Sequence, residues 1–129
     1  MESNISKKTI KDEGDQSIIK PSKVKFISEE LEENYNSMDN NDLVKISINR
    51  AIQEIRQNAF AGIPVPKRLI PKEYLAKYDL KNLWKYDLPK GWRLMYTITS
   101  EDEVQLISAL LEWFNHKKYE RRFNYLFPF

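Results

Sequence analysis

The alternation of apolar and polar positions is most regular after residue 82, where it follows the period of a β-strand. Apolar side chains occupy every second position in two neighbouring stretches: Trp84, Tyr86 and Leu88 in the first, and Trp92, Leu94, Tyr96 and Ile98 in the second. The loop 89–91 separates them, which predicts a β-hairpin with these side chains in the core. Lys85 and Arg93 then point to the other, polar face, and Asp87 lies opposite Arg93.

A helical spacing of apolar residues replaces this alternation between residues 27 and 59. The first predicted helix begins after Ser28, which has the character of an N-cap, and it is acidic on its outer side. The second begins after the turn 39–42 and carries a longer apolar stripe: Val44, Ile48, Ala51, Ile52, Ile55 and Ala59. We expect the two helices to form a hairpin on one face of a sheet, with the isoleucines against Trp84, Tyr86 or Leu94.

The remaining predicted elements are short. Residues 24–27 form a strand, Pro71 opens a helical turn within a long surface connection, residues 104–114 form the last strand, and residues 116–123 form a terminal helix. The resulting order, β-α-α-β-β-β-α, indicates an α+β fold: an antiparallel sheet with an N-terminal helical hairpin on one face and a short C-terminal helix. Residues 1–22 are polar and aperiodic, which predicts a disordered tail before a single domain at 23–129.

Composition limits the class of protein. A chain of 129 residues that is 41% hydrophobic has room for one domain with a stable core. It has no cysteine and one histidine, which excludes disulfides, thiolate catalysis and metal sites rich in Cys or His, so we expect no metal and no cofactor. The longest apolar run, 104–114, is too short and too polar to span a membrane, and the first residues lack the apolar core of a secretory signal. We expect a soluble cytoplasmic protein.

The net charge of +2 conceals a segregation along the chain. Residues 1–42 hold six Lys and ten Asp or Glu, a net −4, whereas the rest holds fifteen Lys or Arg and nine Asp or Glu, a net +6. Nine cations between Arg56 and Arg93, among them Lys67 and Arg68, face only three carboxylates. Such a surface attracts polyanions through counterion release, although charge alone fits an ordinary solvated surface equally well.

His116, the single histidine, lies where the last predicted strand gives way to a basic segment that contains aromatic residues. The polar face of the neighbouring hairpin carries Lys85 and Arg93. A histidine beside two cations on a sheet is suited to handling a phosphate ester, because such chemistry needs both proton transfer and stabilisation of negative charge.

The order of these elements, with LWKYDL, WRLMY and HKKYERRF in these places, resembles the RelE/ParE superfamily of toxins from toxin–antitoxin modules. The likeness covers residues 23–123 and includes the strand start KVKFIS and the helical AIQEIRQNAFAG. It implies the RelE-like fold and one of two activities. RelE-like members are ribosome-dependent endoribonucleases that cut messenger RNA without metal, whereas ParE-like members act on DNA gyrase. The chain departs from the usual pattern in its HKKY spacing and in the extension 1–22.

In the ribonuclease branch, the resemblance implies that a strand Arg, further basic residues on the sheet face and a C-terminal His, Arg or Tyr carry out the reaction. Arg93 matches the strand Arg and would clamp the phosphate, with Lys85 adding charge. His116 would transfer a proton, and Tyr119 would stack on a base or donate a proton. Six further cations are expected to contact RNA: Lys67, Arg68, Lys117, Lys118, Arg121 and Arg122.

This interpretation predicts two partners: messenger RNA on the ribosome, and an antitoxin that wraps the helices and sheet edge. An acidic antitoxin segment would suit the basic face of the protein. The alternative is a non-catalytic or degenerate member that binds a gyrase-type target or only its own partner. The residues leave both open: Arg93 can pair with Asp87, His116 can bond a backbone carbonyl, and Tyr119 can simply pack. A cluster of Lys85, Arg93, His116 and Tyr119 favours the enzyme, whereas a buried His116 with Arg93 held by Asp87 favours the binder.

Overall fold

The computed structural model describes residues 19–102 and 104–123. Within these ranges, four α-helices and a five-stranded mixed sheet form an α+β fold. The strands are β1 (Ser22–Phe26), β2 (Ile63–Pro64), β3 (Trp84–Asp87), β4 (Arg93–Ser100) and β5 (Leu106–Phe114). The helices are α1 (Glu29–Ser37), α2 (Leu43–Gln57), α3 (Lys72–Lys77) and α4 (His116–Arg122). Short 3₁₀ turns occupy Ala59–Ala61, Lys67–Leu69 and Pro89–Gly91.

The sheet has the strand order β1-β5-β4-β3-β2. Strands β3, β4 and β5 are antiparallel, which confirms the predicted hairpin and its pairing with the last strand. The prediction of a wholly antiparallel sheet is wrong at one edge, because β1 runs parallel to β5. Side-chain alternation fixes the face that a residue occupies, but it does not encode the direction of a neighbouring strand that is distant in the chain.

A short strand at the other edge was not predicted. Ile63 and Pro64 of β2 pair with Lys85 and Trp84 of β3, within the segment that we expected to be a surface connection. Two prolines close together argue against a strand, but Pro64 is tolerated here because an edge strand has one side without a ladder partner.

The two N-terminal helices begin where the capping residues predict. The side chain of Ser28 accepts a hydrogen bond from the backbone N–H of Leu31 at 3.1 Å, and that of Asp42 accepts one from Val44 at 2.8 Å. Each cap satisfies a backbone donor that the first helical turn leaves without a partner. The predicted helical hairpin is therefore confirmed, and it packs against one face of the sheet.

The first strand begins earlier than predicted. Ser22 is buried, and its hydroxyl donates to the carbonyl of Ile55 at 2.9 Å and lies 2.8 Å from the hydroxyl of Ser108. Ser22 therefore belongs to the folded unit rather than to the predicted tail. Lys20 is held as well, because its carbonyl accepts a hydrogen bond from the backbone N–H of Ala59 at 2.7 Å. Residues 1–18 of the predicted tail lie outside the described residues, as do residues 103 and 124–129 of the predicted domain.

The first hydrophobic cluster lies between the helical hairpin and the sheet. Ile48 and Ile55 of α2 are fully buried with Leu94 and Tyr96 of β4, and Ile52 packs beside them. This confirms the predicted contact between the isoleucine stripe and the hairpin. None of the described helices is both long and apolar enough to cross a membrane.

The opposite face of the sheet carries a second hydrophobic cluster, which the sequence did not predict. Met95 and Leu111 are buried there beneath α3 and α4, together with Tyr74, Phe114 and Phe123. A β-bulge contributes to this arrangement, because the register shifts after Met95 so that Glu112 becomes its partner. Glu112 and Phe114 consequently share the face of Arg93 and Met95. The face that was expected to be polar is therefore largely apolar beneath α3 and α4.

The connection after α2 is fixed to the sheet by Tyr96. Its hydroxyl accepts a hydrogen bond from the backbone N–H of Gly62 at 2.9 Å and donates one to the carbonyl of Ala59 at 2.7 Å. A Cβ at Gly62 would lie 2.7 Å from the carbonyl oxygen of Lys85, so only glycine allows the chain to approach β3 this closely.

Candidate functional site

Lys85, Asp87 and Arg93 meet on the second face of the sheet, beside the hairpin turn. Asp87 is the direct cross-strand partner of Arg93, and Lys85 lies two positions before Asp87, so all three side chains point the same way. Asp87 Oδ1 lies 3.0 Å from Arg93 Nε and 3.3 Å from Lys85 Nζ. We refer to these three residues as the hairpin triad. Its carboxylate contacts both cations, as the predicted register of Asp87 and Arg93 requires.

Tyr119 of α4 covers the two cations of the hairpin triad. Its ring centroid lies 4.9 Å from Arg93 Cζ and 5.6 Å from Lys85 Nζ, both within range of a cation–π interaction. The ring is held in place because it also packs against Phe114 and Phe123. Helix α4 therefore brings Tyr119 to the two strand cations, as the functional prediction requires.

Helix α4 is positioned by its cap and by its contact with the hairpin turn. The side chain of Asn115 accepts a hydrogen bond from the backbone N–H of Lys118 at 2.9 Å and starts the helix directly after β5. His116, the first helical residue, lies against Gly91, whose φ of +81° belongs to the left-handed region. The turn and the helix start therefore form one packed unit.

His116 is 54% exposed, so the predicted alternative of a buried histidine does not apply. Its Nε2 atom lies 3.2 Å from Oε2 of Glu120, one turn along the same helix. The structure thus places His116 beside the turn that leads into Arg93, but pairs it with Glu120 rather than with the hairpin triad.

The basic residues of α4 divide into two groups. Lys117, Lys118 and Arg121 are exposed and available to a polyanion. Arg122 is not, because its Nη1 donates to Glu112 at 3.0 Å and its Nε lies 3.6 Å from a carboxylate oxygen of Glu73. Arg122 therefore belongs to an internal network rather than to an open cationic surface. Lys67 and Arg68 are exposed on their own 3₁₀ turn, outside the hairpin triad.

A cleft of about 640 Å³ lies beside this internal network, between α1, α3, α4 and β5. Tyr74, Glu112, Lys118 and Arg122 are among the residues that line it. Burial raises the pKa of Tyr74 well above its usual range, and the neighbouring carboxylate of Glu112 adds to the effect. Sequence reasoning missed Tyr74 and Glu112. The signal for Glu112 was a carboxylate inside an otherwise apolar predicted strand.

The candidate site in the described part of the chain consists of side-chain hydrogen-bond donors, acceptors and cations. Over residues 19–102 and 104–123, no group of three or more His, Asp or Glu side chains is placed to hold a metal ion. No protein-family model matches the chain, and comparison with curated proteins and with solved structures gives no significant match. The resemblance to the RelE/ParE superfamily therefore stays a prediction from the sequence.

Proposed function

We propose that the protein is a toxin-type endoribonuclease of the RelE-like kind, which cleaves messenger RNA on the ribosome by attack of a 2′-hydroxyl on the adjacent phosphorus. One observation carries the proposal: Lys85 and Arg93 on the sheet and Tyr119 on α4 come together at one place. A phosphodiester needs such paired cations, because negative charge builds up on its non-bridging oxygens as the fifth bond to phosphorus forms.

Each residue has a defined part in this reaction. The guanidinium of Arg93 binds the phosphate and stabilises the phosphorane, with Lys85 as the second cation. His116 transfers a proton, either from the 2′-oxygen that attacks or to the 5′-oxygen that leaves. The 2′-oxygen forms the new bond to phosphorus as the bond to the 5′-oxygen breaks, which leaves a 2′,3′-cyclic phosphate and a 5′-hydroxyl.

Tyr119 and the exposed cations hold the RNA. The ring of Tyr119 lies over the two strand cations, and the proposal assigns Tyr119 to stacking on a base or to a proton transfer. The cations expected to contact backbone phosphates are exposed in the structure: Lys67, Arg68, Lys117, Lys118 and Arg121. Arg122 has a structural part instead, given its two carboxylate partners.

Two cellular expectations belong to the same proposal. The protein acts in the cytoplasm, where its substrate is the ribosome-bound message. An antitoxin neutralises it, and an acidic segment suits the basic α4 and the cations around the hairpin triad.

A second candidate function, binding of a protein target without catalysis, is favoured by one observation. Asp87 already pairs with Arg93 and Lys85, and His116 Nε2 lies 3.2 Å from Glu120, so all three candidate catalytic side chains have partners within the protein. Arg93 held by Asp87 is the arrangement expected of a protein that binds without catalysis.

The test compares cleavage of ribosome-bound messenger RNA by the purified protein and by single variants, with EDTA present. Arg93→Ala and His116→Ala are each expected to lower the rate about 10²-fold or more. Arg56→Ala is the matched control, because Arg56 lies at the end of α2, away from the hairpin triad. Full activity in both Arg93→Ala and His116→Ala overturns the proposal, and so does a ribosome-free activity that EDTA abolishes. Growth arrest after induction that His116→Ala relieves supports it in cells.

A further inference from the structure

Asp87 is the exposed member of the hairpin triad. The side chains of Arg93 and Lys85 are only 16% and 21% exposed, whereas that of Asp87 is 50% exposed. The ring of Tyr119 lies over the two cations. Of the three charged groups, the carboxylate is therefore the one most open to solvent.

A single oxygen of Asp87 makes both contacts. Oδ1 lies 3.0 Å from Arg93 Nε and 3.3 Å from Lys85 Nζ. Both contacts are ion pairs, and the buried Nε of Arg93 has no hydrogen-bond partner among the described residues. A phosphate oxygen carries a similar negative charge and accepts hydrogen bonds from guanidinium N–H groups. Oδ1 therefore marks a position in which a phosphate oxygen would be attracted by the same two cations.

We infer that Asp87 is an internal anion that occupies the phosphate position of the site and must be displaced when a phosphodiester binds. The inference rests on the proposed function for the identity of the ligand, and it adds a residue that sets the affinity. Displacement is feasible, because the half-exposed carboxylate of Asp87 returns to water when it leaves and the arriving phosphate takes over its contact with the two cations. Asp87 thus keeps the site from binding anions indiscriminately and favours ligands held by additional contacts along α4.

The inference predicts that removing the carboxylate strengthens anion binding. With inorganic phosphate as the probe, Asp87→Asn is expected to bind about tenfold more tightly than the unaltered protein, because a charge that repels the ligand at contact distance is gone. The affinity is measured in every variant by isothermal titration calorimetry. In the variants that keep Arg93, the Nε–H resonance of Arg93 also reports on the contact itself by NMR. Asp87→Ser serves as a second variant, and thermal unfolding of both checks that they fold.

Glu101→Gln is the matched control. Glu101 is 48% exposed and pairs with Lys23 at 3.3 Å, so the substitution removes the same charge from a comparable ion pair on a different strand edge. It is expected to leave phosphate affinity within about twofold. The gain in phosphate affinity from Asp87→Asn is also expected to vanish in an Arg93→Ala background. Without the guanidinium, neither the carboxylate nor the phosphate has that cation to contact.

Three outcomes decide the inference. A gain in Asp87→Asn that is absent in Glu101→Gln and lost without Arg93 supports it. Unchanged phosphate affinity in Asp87→Asn, or an equal gain in Glu101→Gln, overturns it. RNA cleavage is measured in the same variants. If Asp87→Asn binds phosphate more tightly but none of the proteins cleaves RNA, the anion site is supported and the proposed ribonuclease function is overturned. The inference and the proposed function can therefore fail separately.

Discussion

Gly91 and His116 touch across the interface between the hairpin turn and the start of α4: a Cβ placed on Gly91 would lie 3.0 Å from Cβ of His116. Gly91 also has a φ of +81°, which residues other than glycine adopt only with strain. The turn that leads into Arg93 and the helix that carries Tyr119 are therefore in direct contact. The position of the candidate proton-transfer residue depends on the conformation of the turn.

Gly91→Ala should lower the free energy of unfolding by about 1–3 kcal/mol, because it adds a methyl group at a left-handed φ and against His116. It should also slow RNA cleavage, since His116 and α4 must shift to make room. Urea unfolding and a cleavage assay measure the two effects. Lys90→Gly is the control: Lys90 has a φ of 59°, which glycine adopts freely, so this neighbouring change should not destabilise the protein. Equal stability of Gly91→Ala and the unaltered protein would show that the contact is easily relieved.

Tyr119 can act through its ring or through its hydroxyl, and two substitutions separate these roles. Tyr119→Phe keeps the packing on Phe114 and the cation–π contact with Arg93, so cleavage should stay within about threefold if the ring alone matters. A loss of about 10²-fold in Tyr119→Phe would instead identify the hydroxyl as a proton donor. Tyr119→Ala should weaken RNA cleavage in either case, because Arg93 and Lys85 lose their covering ring. Rates at saturating RNA give the comparison.

Arg121 and Arg122 are neighbours in the chain, but we expect Arg122 to contribute to stability and Arg121 to RNA binding. Arg122→Ala should lower the free energy of unfolding by about 1–3 kcal/mol, because it leaves the half-buried carboxylate of Glu112 without its 3.0 Å donor. Arg121→Ala should change stability by less than about 0.5 kcal/mol, since the side chain is exposed, and should weaken RNA binding in a salt-dependent way. Denaturant titration and binding at two salt concentrations test both. Destabilisation by Arg121→Ala that matches Arg122→Ala would contradict the assignment of Arg122 to the internal network.

The hairpin shows how far side-chain patterns determine this structure. Strict alternation and a short turn are local signals, and they correctly placed Asp87 opposite Arg93. The helical spacing of apolar residues is also local, and it correctly gathered the isoleucines of α2 on the side that packs against the sheet. Ser28 and Asp42 marked the helix starts because capping is also local. These features were predictable because each depends on residues close together in the chain.

The errors concern relationships between distant segments. The parallel pairing of β1 with β5 has no local signal, and the bulge at Met95 changes which face Glu112 and Phe114 occupy. Alternation counted through a bulge assigns the wrong face to every residue beyond it. Arg122 looked like one member of a cationic run, because its pairing with Glu112 depends on that shifted register and on how α4 folds back over the sheet.

Tyr96 makes the stability of the fold depend on pH in the alkaline range. Its side chain is fully buried, and burial raises its pKa from 10.0 to about 12. Between these values the tyrosine loses its proton in the unfolded chain but keeps it in the folded protein. The unfolded state is then favoured as protons are removed, so the stability that is complete below about pH 10 is lost as the pH rises towards about 12, by up to about 1.4 kcal/mol per pH unit from this group.

Tyr96→Phe should therefore have two effects on the free energy of unfolding. Near neutral pH it should lower that energy by about 1–3 kcal/mol, because the N–H of Gly62 and the carbonyl of Ala59 lose their buried partner. Above about pH 10 the variant should lose stability less steeply than the unaltered protein. The other titratable groups are the same in both proteins, including Tyr74 and Tyr86, whose pKa values burial also raises, so the difference between the slopes isolates Tyr96. Urea unfolding in steps from about pH 8 to about pH 11 measures both slopes, and parallel curves would show that Tyr96 ionises equally easily in the folded and unfolded chains.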